Sequence, residues 1–520
     1  MSLIPQPHSV TLHDGHVELP SLEHVVAEVD PSLPSEGYTL DVSTASGVHI
    51  KGGSEVGIFY GKQTLRQLLP ASALRKAGAS TKGPWKLQAQ RISDAPSSGL
   101  RWRGCMLDVA RHFMPVPDVL RFIELLTFHK LNILHFHLTD DQGWRIDIPA
   151  WPRLTTVGAY RARSMQGSRQ HQIYDARPHG GFYSANDLRE IVAFAAERHI
   201  TVIPEVNMPG HMQAAIASYP ELGNTDVEGR DQHVLVRDSW GISKQVLNVS
   251  DSTLDFCRSV LDFVCDIFPS KTIGIGGDEV PYDEWKNSPA AQSRMKQLGL
   301  ATESALQGWF MEQMAVHLAN RGRHAYAWDE IMAGYTGPVD SVQIAAWRGP
   351  GPTAIAAQRG FDVVTCPDVN AYLDYRQSDE PGEPTPVGTL LTLKDIYTFH
   401  PVPETLKPEE AAHVVGAQVN VWTEHMESAR RVEYMVFPRL CAFAEVVWGS
   451  GGGSDGFDGF CKRLEDQHFG RLEALGVNYR PHTGPRPWDG RPDAPGKPES
   501  RAERLAHIDE ITADLHRKQA

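Results

Sequence analysis

At 520 residues, 41% hydrophobic and 22% charged, the chain exceeds one ordinary domain, is short for three and has a globular composition. A formal net charge of −14 argues against nucleic acid or an anionic membrane as partner, because both would be repelled. No run is long and apolar enough to span a bilayer, and Met1-Ser-Leu-Ile-Pro-Gln-Pro-His8 lacks the basic head and apolar stretch of a leader, so a cytoplasmic protein is expected.

From His8 to about Pro70, short strands such as Gly37–Ser43 and Gly47–Lys51 alternate with a helical stretch, Phe59–Leu69, which predicts a small α+β domain over residues 1–98. A polar stretch from Ala77 to Lys86 and a loop from Asp94 to Gly99 set it apart. From Arg101 a pattern of apolar strand, polar or aromatic cluster and amphipathic helix repeats. The strands predicted are Gly104–Val109, Asn132–Leu138, Thr201–Val206, Thr272–Ile275, His324–Trp328, Ser341–Trp347, Asp362–Cys366 and Gly416–Trp422. Eight is the number that closes a parallel barrel, so residues 99–480 are expected to form a (β/α)8 TIM barrel. A doubly wound open sheet is the competing fold, but no Gly-rich phosphate loop follows the first strand. Ser184 begins a capping box for a helix over 187–197, and Leu254, Cys257, Leu261, Val264 and Phe268 stripe another. Residues 481–520 read as a Pro/Gly-rich linker and a charged C-terminal helix carrying Leu505, Ile508, Ile511 and Leu515. The six cysteines lie in apolar patterns without metal-ligand spacing, which predicts buried thiols.

In such a barrel the chemistry lies where the strands end, and each end here carries a candidate. The fourth is the most pointed. Thr272-Ile-Gly-Ile-Gly-Gly-Asp-Glu-Val280 is a buried strand closed by two glycines and then two adjacent carboxylates, Asp278 and Glu279. Like charges this close cannot both ionise freely in a poorly solvated pocket, so one pKa rises, as suits a general acid. A helix N-terminus capped by Asp278 is the structural alternative. Asp108 and Arg111 follow the first strand, Asp140, Asp141 and Trp144 the second, and Glu205, Asn207 and His211 the third. Trp328, Trp347, Tyr372 with Asp374, and Trp422 with Glu424 follow the fifth to eighth. Pyranose C–H faces stack on indoles while their hydroxyls take charged partners, so three tryptophans beside Arg111, Asp374 and Glu424 describe a sugar pocket. Each has a plainer role: the tryptophans as core plugs, Arg111 as an ion-pair partner of Asp108 or Asp140, His211 as a satisfied core histidine. His135 and His137 could hold a divalent metal if further ligands converged, but no histidine ends the fifth or sixth strand, so a metal-free and cofactor-free site is expected.

The runs Trp102–Phe113, His135–Arg145, Pro204–His211, Ile275–Glu279 and Val421–Glu424 resemble family 20 glycoside hydrolases, the β-N-acetylhexosaminidases, and the resemblance extends from about Gly37 to Trp448. It implies exo-acting, retaining hydrolysis of terminal β-linked N-acetylglucosamine or N-acetylgalactosamine, in which the substrate's own acetamido oxygen attacks the anomeric carbon to form an oxazolinium ion. Carried residue by residue, it makes Glu279 the general acid and base, Asp278 the partner of the acetamido N–H, and Tyr372 the donor to the acetamido oxygen. Trp328, Trp347 and Trp422 box that group, Arg111, Asp374 and Glu424 bind ring hydroxyls, and Asp140 with His211 tunes Glu279. The partner implied is a small oligosaccharide or glycoconjugate. A sugar-binding sensor without turnover is the alternative, against which an intact acid pair and Tyr372 speak. Two positions depart from the family: Asn207, where many members carry Asp, and Leu391, where some bacterial members carry Trp near the leaving sugar. The segment from Arg161 to Gly181 is expected to cap that same side.

Overall fold

The structure, a computed structural model, describes residues 2–76, 82–231, 233–449 and 456–517. Strands β1 (Ser9–Leu19), β2 (Val26–Val29), β3 (Tyr38–Ser43), β4 (Gly47–Gly52) and β5 (Trp85–Asp94) form one sheet in the order β1-β5-β3-β4-β2. Helix α1 (Glu55–Leu68), capped by the Ser54 hydroxyl, lays Ile58 and Leu65 on the sheet face built from Leu40, Val42 and Ile50. Of the polar stretch expected from Ala77 to Lys86, residues 77–81 lie outside the described residues, whereas Trp85 and Lys86 open β5 instead of forming a linker.

The eight parallel strands close. They are β6 (Trp102–Asp108), β7 (Ile133–His137), β8 (Thr201–Glu205), β9 (Thr272–Gly276), β10 (His324–Trp328), β11 (Val342–Ala346), β12 (Val363–Thr365) and β13 (Val414–Val421), and β13 pairs with β6 to complete the barrel. The open sheet is thereby excluded. The intervening helices include α2 (Val116–Phe128), α3 (Ala185–Ala196), α4 (Asp251–Ile267) and α5 (Glu303–Asn320). Ser184 and Asp187 make the predicted capping box of α3, and Leu188, Ile191 and Ala195 are its buried face. The stripe on α4 is buried along its length.

Below the barrel a buried polar knot joins the two parts. Lys130 Nζ donates to Asp94 Oδ2 at 2.7 Å and to the Tyr38 hydroxyl at 2.9 Å, and Trp448 Nε1 donates to the same carboxylate at 3.0 Å. Trp448 belongs to α6 (Arg439–Trp448), which follows the last barrel strand.

The C-terminal segment packs on the barrel. In α7 (Arg501–Ile511), Arg504 Nε pairs with Asp368 Oδ2 at 2.5 Å, and the Ile511 carbonyl accepts from Arg348 Nη1 at 2.9 Å. Arg348 and Asp368 follow β11 and β12, so the tail lies over the face where strands end. Ile508 and Leu515 are buried there, whereas Leu505 faces solvent. All six cysteines are free, five of them buried and Cys461 half-buried, as the apolar patterns predict.

Candidate active site

The acid pair is built by its turn. Gly276 and Gly277 take φ of 67° and 91°, and Glu279 itself lies at 48°, so the chain leaves β9 through a left-handed stretch. A Cβ at Gly276 would stand 1.8 Å from Asn207 Oδ1. Asn207 grips the turn from both sides, because its Oδ1 accepts from the Gly277 N–H at 3.2 Å and its Nδ2 donates to Asp278 Oδ1 at 2.8 Å. The next helical turn starts only at Asp283, with Tyr282 before it, so neither acid caps a helix.

The two carboxylates are placed in different surroundings. Asp278 is buried, whereas the Glu279 side chain keeps 34% of its exposure and opens to the cavity. Burial pushes the Asp278 pKa up to about 6, with Glu205 and Glu279 adding to the rise and His211 and Asn207 opposing it. One acid of the pair is thus raised, as the adjacent charges predict, and it is the buried Asp278. His211 Nε2 stands 3.5 Å from both Asp278 Oδ2 and Glu279 Oε2. Burial alone would lower the His211 pKa, but Asp140 and Asp278 outweigh it and hold it well above the usual imidazole range.

Behind His211 runs a chain of alternating charges. His211 Nδ1 meets Asp140 Oδ1 at 3.1 Å, Asp140 Oδ2 meets His137 Nε2 at 2.9 Å, and His137 Nδ1 makes a 3.3 Å ion contact with Glu205 Oε1. His137 is held protonated, its pKa raised to about 10 because Glu205 and Asp140 overcome the cost of burial. His135 pairs with Glu205 as well. Both histidines of the His-x-His run are therefore engaged by carboxylates.

A cavity of about 450 Å³ opens above the acids. Arg111, His211, Asp278, Glu279, Trp328, Trp347, Tyr372, Asp374, Trp422 and Glu424 all line it. Its aromatic wall is continuous: Trp347 stacks on Tyr372 at 6.0 Å and 22°, Tyr372 meets Trp422 at 6.3 Å, and Trp422 meets Trp328 at 5.9 Å. Burial raises the Tyr372 pKa well above that of free phenol, so its hydroxyl stays a donor. Both oxygens of Asp374 and Oε2 of Glu424 are buried without a hydrogen-bond partner among the described residues. Burial and the neighbouring Glu424 hold Asp374 well above the carboxylate range, and burial raises Glu424 against the pull of Arg111. Such oxygens require donors, and a polyol supplies them.

Some assignments change in the fold. Asp140 does not line the cavity and is 2% exposed; it lies one layer back, salt-bridged to Arg111 Nη2 at 3.0 Å, and touches no ligand space. Arg111 is ion-paired with both Asp108 and Asp140, and it also lines the cavity with its guanidinium facing the Trp422 ring at 4.9 Å. Leu391 is fully buried, so the missing indole leaves no pocket face at that residue, and the cavity edge nearby is Pro386 to Gly388. Ser168 and Arg169 from the expected cap line the cavity. Residues that escaped the sequence argument include Trp240, Lys497, Glu499 and Arg504 on the wall, and Glu330, whose carboxylate accepts from Trp347 Nε1 at 2.9 Å. The Trp328-Asp-Glu330 run at a strand end was the available signal for Glu330; the tail residues carried none.

Comparison with known proteins agrees with this geometry. The catalytic-domain model of glycosyl hydrolase family 20 matches residues 100–450, and its domain 2 model matches residues 20–95. A beta-hexosaminidase of Porphyromonas gingivalis is 38% identical over 466 residues, which span 89% of this chain but 57% of that protein, so the chain covers little more than half of that relative. One from Akkermansia muciniphila is 33% identical and covers 89% of each chain. Among solved structures, the exo beta-N-acetylglucosaminidase of Vibrio harveyi in complex with N-acetylglucosamine superposes with a TM-score of 0.80 at 31% identity, over 94% of this chain and 78% of that one. A further beta-N-acetylhexosaminidase gives 0.79 at 30% identity over 93% and 98%. Two domain models in register with a small sheet domain and a closed eight-stranded barrel place the chain in a family of enzymes: it belongs to glycosyl hydrolase family 20.

Proposed function

We propose that the protein is an exo-acting β-N-acetylhexosaminidase that removes terminal β-linked N-acetylglucosamine or N-acetylgalactosamine with retention, using the substrate's acetamido group as nucleophile. The observation that carries this reading is the division of labour in the acid pair: Glu279 open to the cavity, Asp278 buried and gripped by Asn207. Glu279 gives its proton to the glycosidic oxygen as the bond to the anomeric carbon breaks. The acetamido oxygen closes on that carbon, held under the ring by Trp328, Trp347 and Trp422 and polarised by the Tyr372 hydroxyl. Ionised Asp278 accepts the acetamido N–H and balances the positive charge that develops there. Water then adds to the anomeric carbon, Glu279 takes its proton back, and the oxazolinium ring opens to free amino sugar.

Arg111, Asp374 and Glu424 take the hydroxyls of the terminal ring, and the unpartnered oxygens of the two acids support this. His211, backed by Asp140, presents positive charge to both members of the pair and so holds Asp278 ionised near neutral pH. The substrate is a small oligosaccharide or glycoconjugate. Among the described residues no helix is long and apolar enough to cross a membrane.

Hydrolysis of an aryl β-N-acetylglucosaminide and an aryl β-glucoside tests the mechanism. Activity confined to the acetamido sugar, reduced at least about 10²-fold in Glu279→Gln and in Asp278→Asn, is the expected result. Equal rates on the plain glucoside would refute it and point to a carboxylate nucleophile, while sugar binding without turnover would favour a sensor.

A further inference from the structure

At the opposite end of the barrel from the acid pair, three side chains from distant parts of the sequence converge. His129 caps the C-terminus of α2 just before β7, Cys441 lies in α6, and His468 ends a single π-helical turn, Leu464–His468. Such turns frequently mark functional sites. His129 Nε2 is 3.0 Å from His468 Nε2 and 3.4 Å from Cys441 Sγ, and the three atoms all lie within 4.8 Å of one another. All three residues are buried, with the Phe437 ring 5.4 Å from that of His129.

Hydrogen bonding alone does not satisfy this cluster. His129 Nδ1 lies 2.7 Å from the Leu125 carbonyl, so it carries the proton and Nε2 is a bare lone pair. If His468 is protonated at Nε2, that N–H and the Cys441 thiol compete for one lone pair, and His468 Nδ1 is bare with no donor among the described residues. If His468 is protonated at Nδ1, two bare nitrogens face each other at 3.0 Å. A proton, as in the first arrangement, or a bound cation relieves that contact, and the first arrangement still leaves His468 Nδ1 buried without a donor among the described residues.

We propose that His129, Cys441 and His468 bind one thiophilic d10 metal ion, Cu+ or Zn2+, as a structural site that ties the helix after the barrel to the barrel's base. The 3.0 Å and 3.4 Å separations are those that an ion about 2.0–2.3 Å from two imidazole nitrogens and one thiolate can bridge. The Leu125 carbonyl is the outer partner that orients a ligating imidazole. Charge favours the monovalent ion: a thiolate and Cu+ sum to zero in an apolar surround, whereas Zn2+ leaves a net positive charge, and Glu445, one turn along from Cys441, is already engaged by Arg463. The site is on the stability face of the barrel and is independent of the proposed reaction.

The test uses the full chain, freed of metal under reducing conditions and then given Zn2+ alone or Cu+ alone. Elemental analysis after desalting, the near-ultraviolet thiolate-to-metal band and Tm are recorded for wild type, Cys441→Ala, His468→Gln and, as a control with a buried thiol elsewhere, Cys257→Ala. Expected is one ion per chain with Tm raised by at least about 2 °C, kept in Cys257→Ala and lost in Cys441→Ala. Retention by Cu+ in preference to Zn2+ confirms the charge argument, and the reverse preference retains the site with the other ion. If Cys441→Ala fails to fold, His468→Gln carries the comparison. Wild type that holds neither ion after desalting, or either variant binding as wild type does, overturns the proposal.

Discussion

Replacing Asn207 by aspartate puts the electrostatics of the acid pair to a direct test. In the wild type the amide donates to Asp278 Oδ1 at 2.8 Å, and Asp278 has its pKa raised to about 6. At pH 7 roughly nine-tenths of it is therefore ionised, and because the folded-state pKa is raised, activity that needs the carboxylate falls as pH drops through about 6, above the ordinary carboxylate range. Asn207→Asp exchanges a donor for a second negative charge. Two unit charges about 2.8 Å apart repel by on the order of 6 kcal/mol at an effective dielectric of about 20, so the pair keeps a proton instead. If that proton raises the effective pKa of Asp278 by about 2 units, the ionised fraction at pH 7 drops to roughly a tenth. The acidic limb of the pH–rate profile on an aryl β-N-acetylglucosaminide is expected to move up by about 2 units, with a rate loss of roughly tenfold at pH 7 and recovery in alkali. A variant profile superimposable on the wild type, with Tm preserved, would show that position 207 does not control the charge on Asp278.

Three other perturbations follow from the same structure. Asp374→Asn supplies a donor to a site built from bare acceptor oxygens, and kcat/KM is expected to fall about 10–100-fold, with a smaller penalty for deoxy analogues of the terminal sugar than in the wild type; equal penalties in both proteins would remove Asp374 from hydroxyl recognition. Lys130→Met leaves Asp94 buried without its cation and should cost about 3–5 kcal/mol in thermal or denaturant unfolding, whereas a change under about 1 kcal/mol would mean that the knot below the barrel is relaxed by water. Deleting residues 497–520 strips Lys497, Glu499 and Arg504 from the cavity wall and leaves Asp368 without its arginine, so KM should rise more for oligosaccharides than for aryl glycosides. A uniform change across both substrate types would place the tail outside the leaving-group side.

The barrel was legible because each strand is a short apolar run followed by a chemically marked residue. His324–Trp328 coincides with β10, and the other seven agree to within one or two residues at most ends. The small domain was read only in part. β1 has Leu12 exposed and little alternation to reveal it, and β5 begins inside a stretch that looked like a linker. The pocket's aromatic and acidic residues could be named because residue type and strand-end position both point to them. Asp140 stands behind His211, in the chain towards Glu279 that the resemblance implies, although a carboxylate at a strand end has the same sequence signature whether it faces a ligand or a histidine. The cluster of His129, Cys441 and His468 had no signature, because its members lie more than 300 residues apart along part of the chain and only closure of the barrel brings them together. Contacts made by the tail are equally silent, since Lys497 lies in a Pro/Gly-rich stretch and Arg504 in an ordinary charged helix pattern.

The position of that tail has a consequence for biosynthesis. Every barrel strand and both members of the acid pair leave the ribosome before residues 497–504, which contribute to one wall of the cavity. A nascent chain with its barrel already closed therefore holds the deep aromatic part of the cavity before it holds the wall that the tail adds. Under the proposed function, selectivity for the leaving group therefore matures after the hydrolytic machinery.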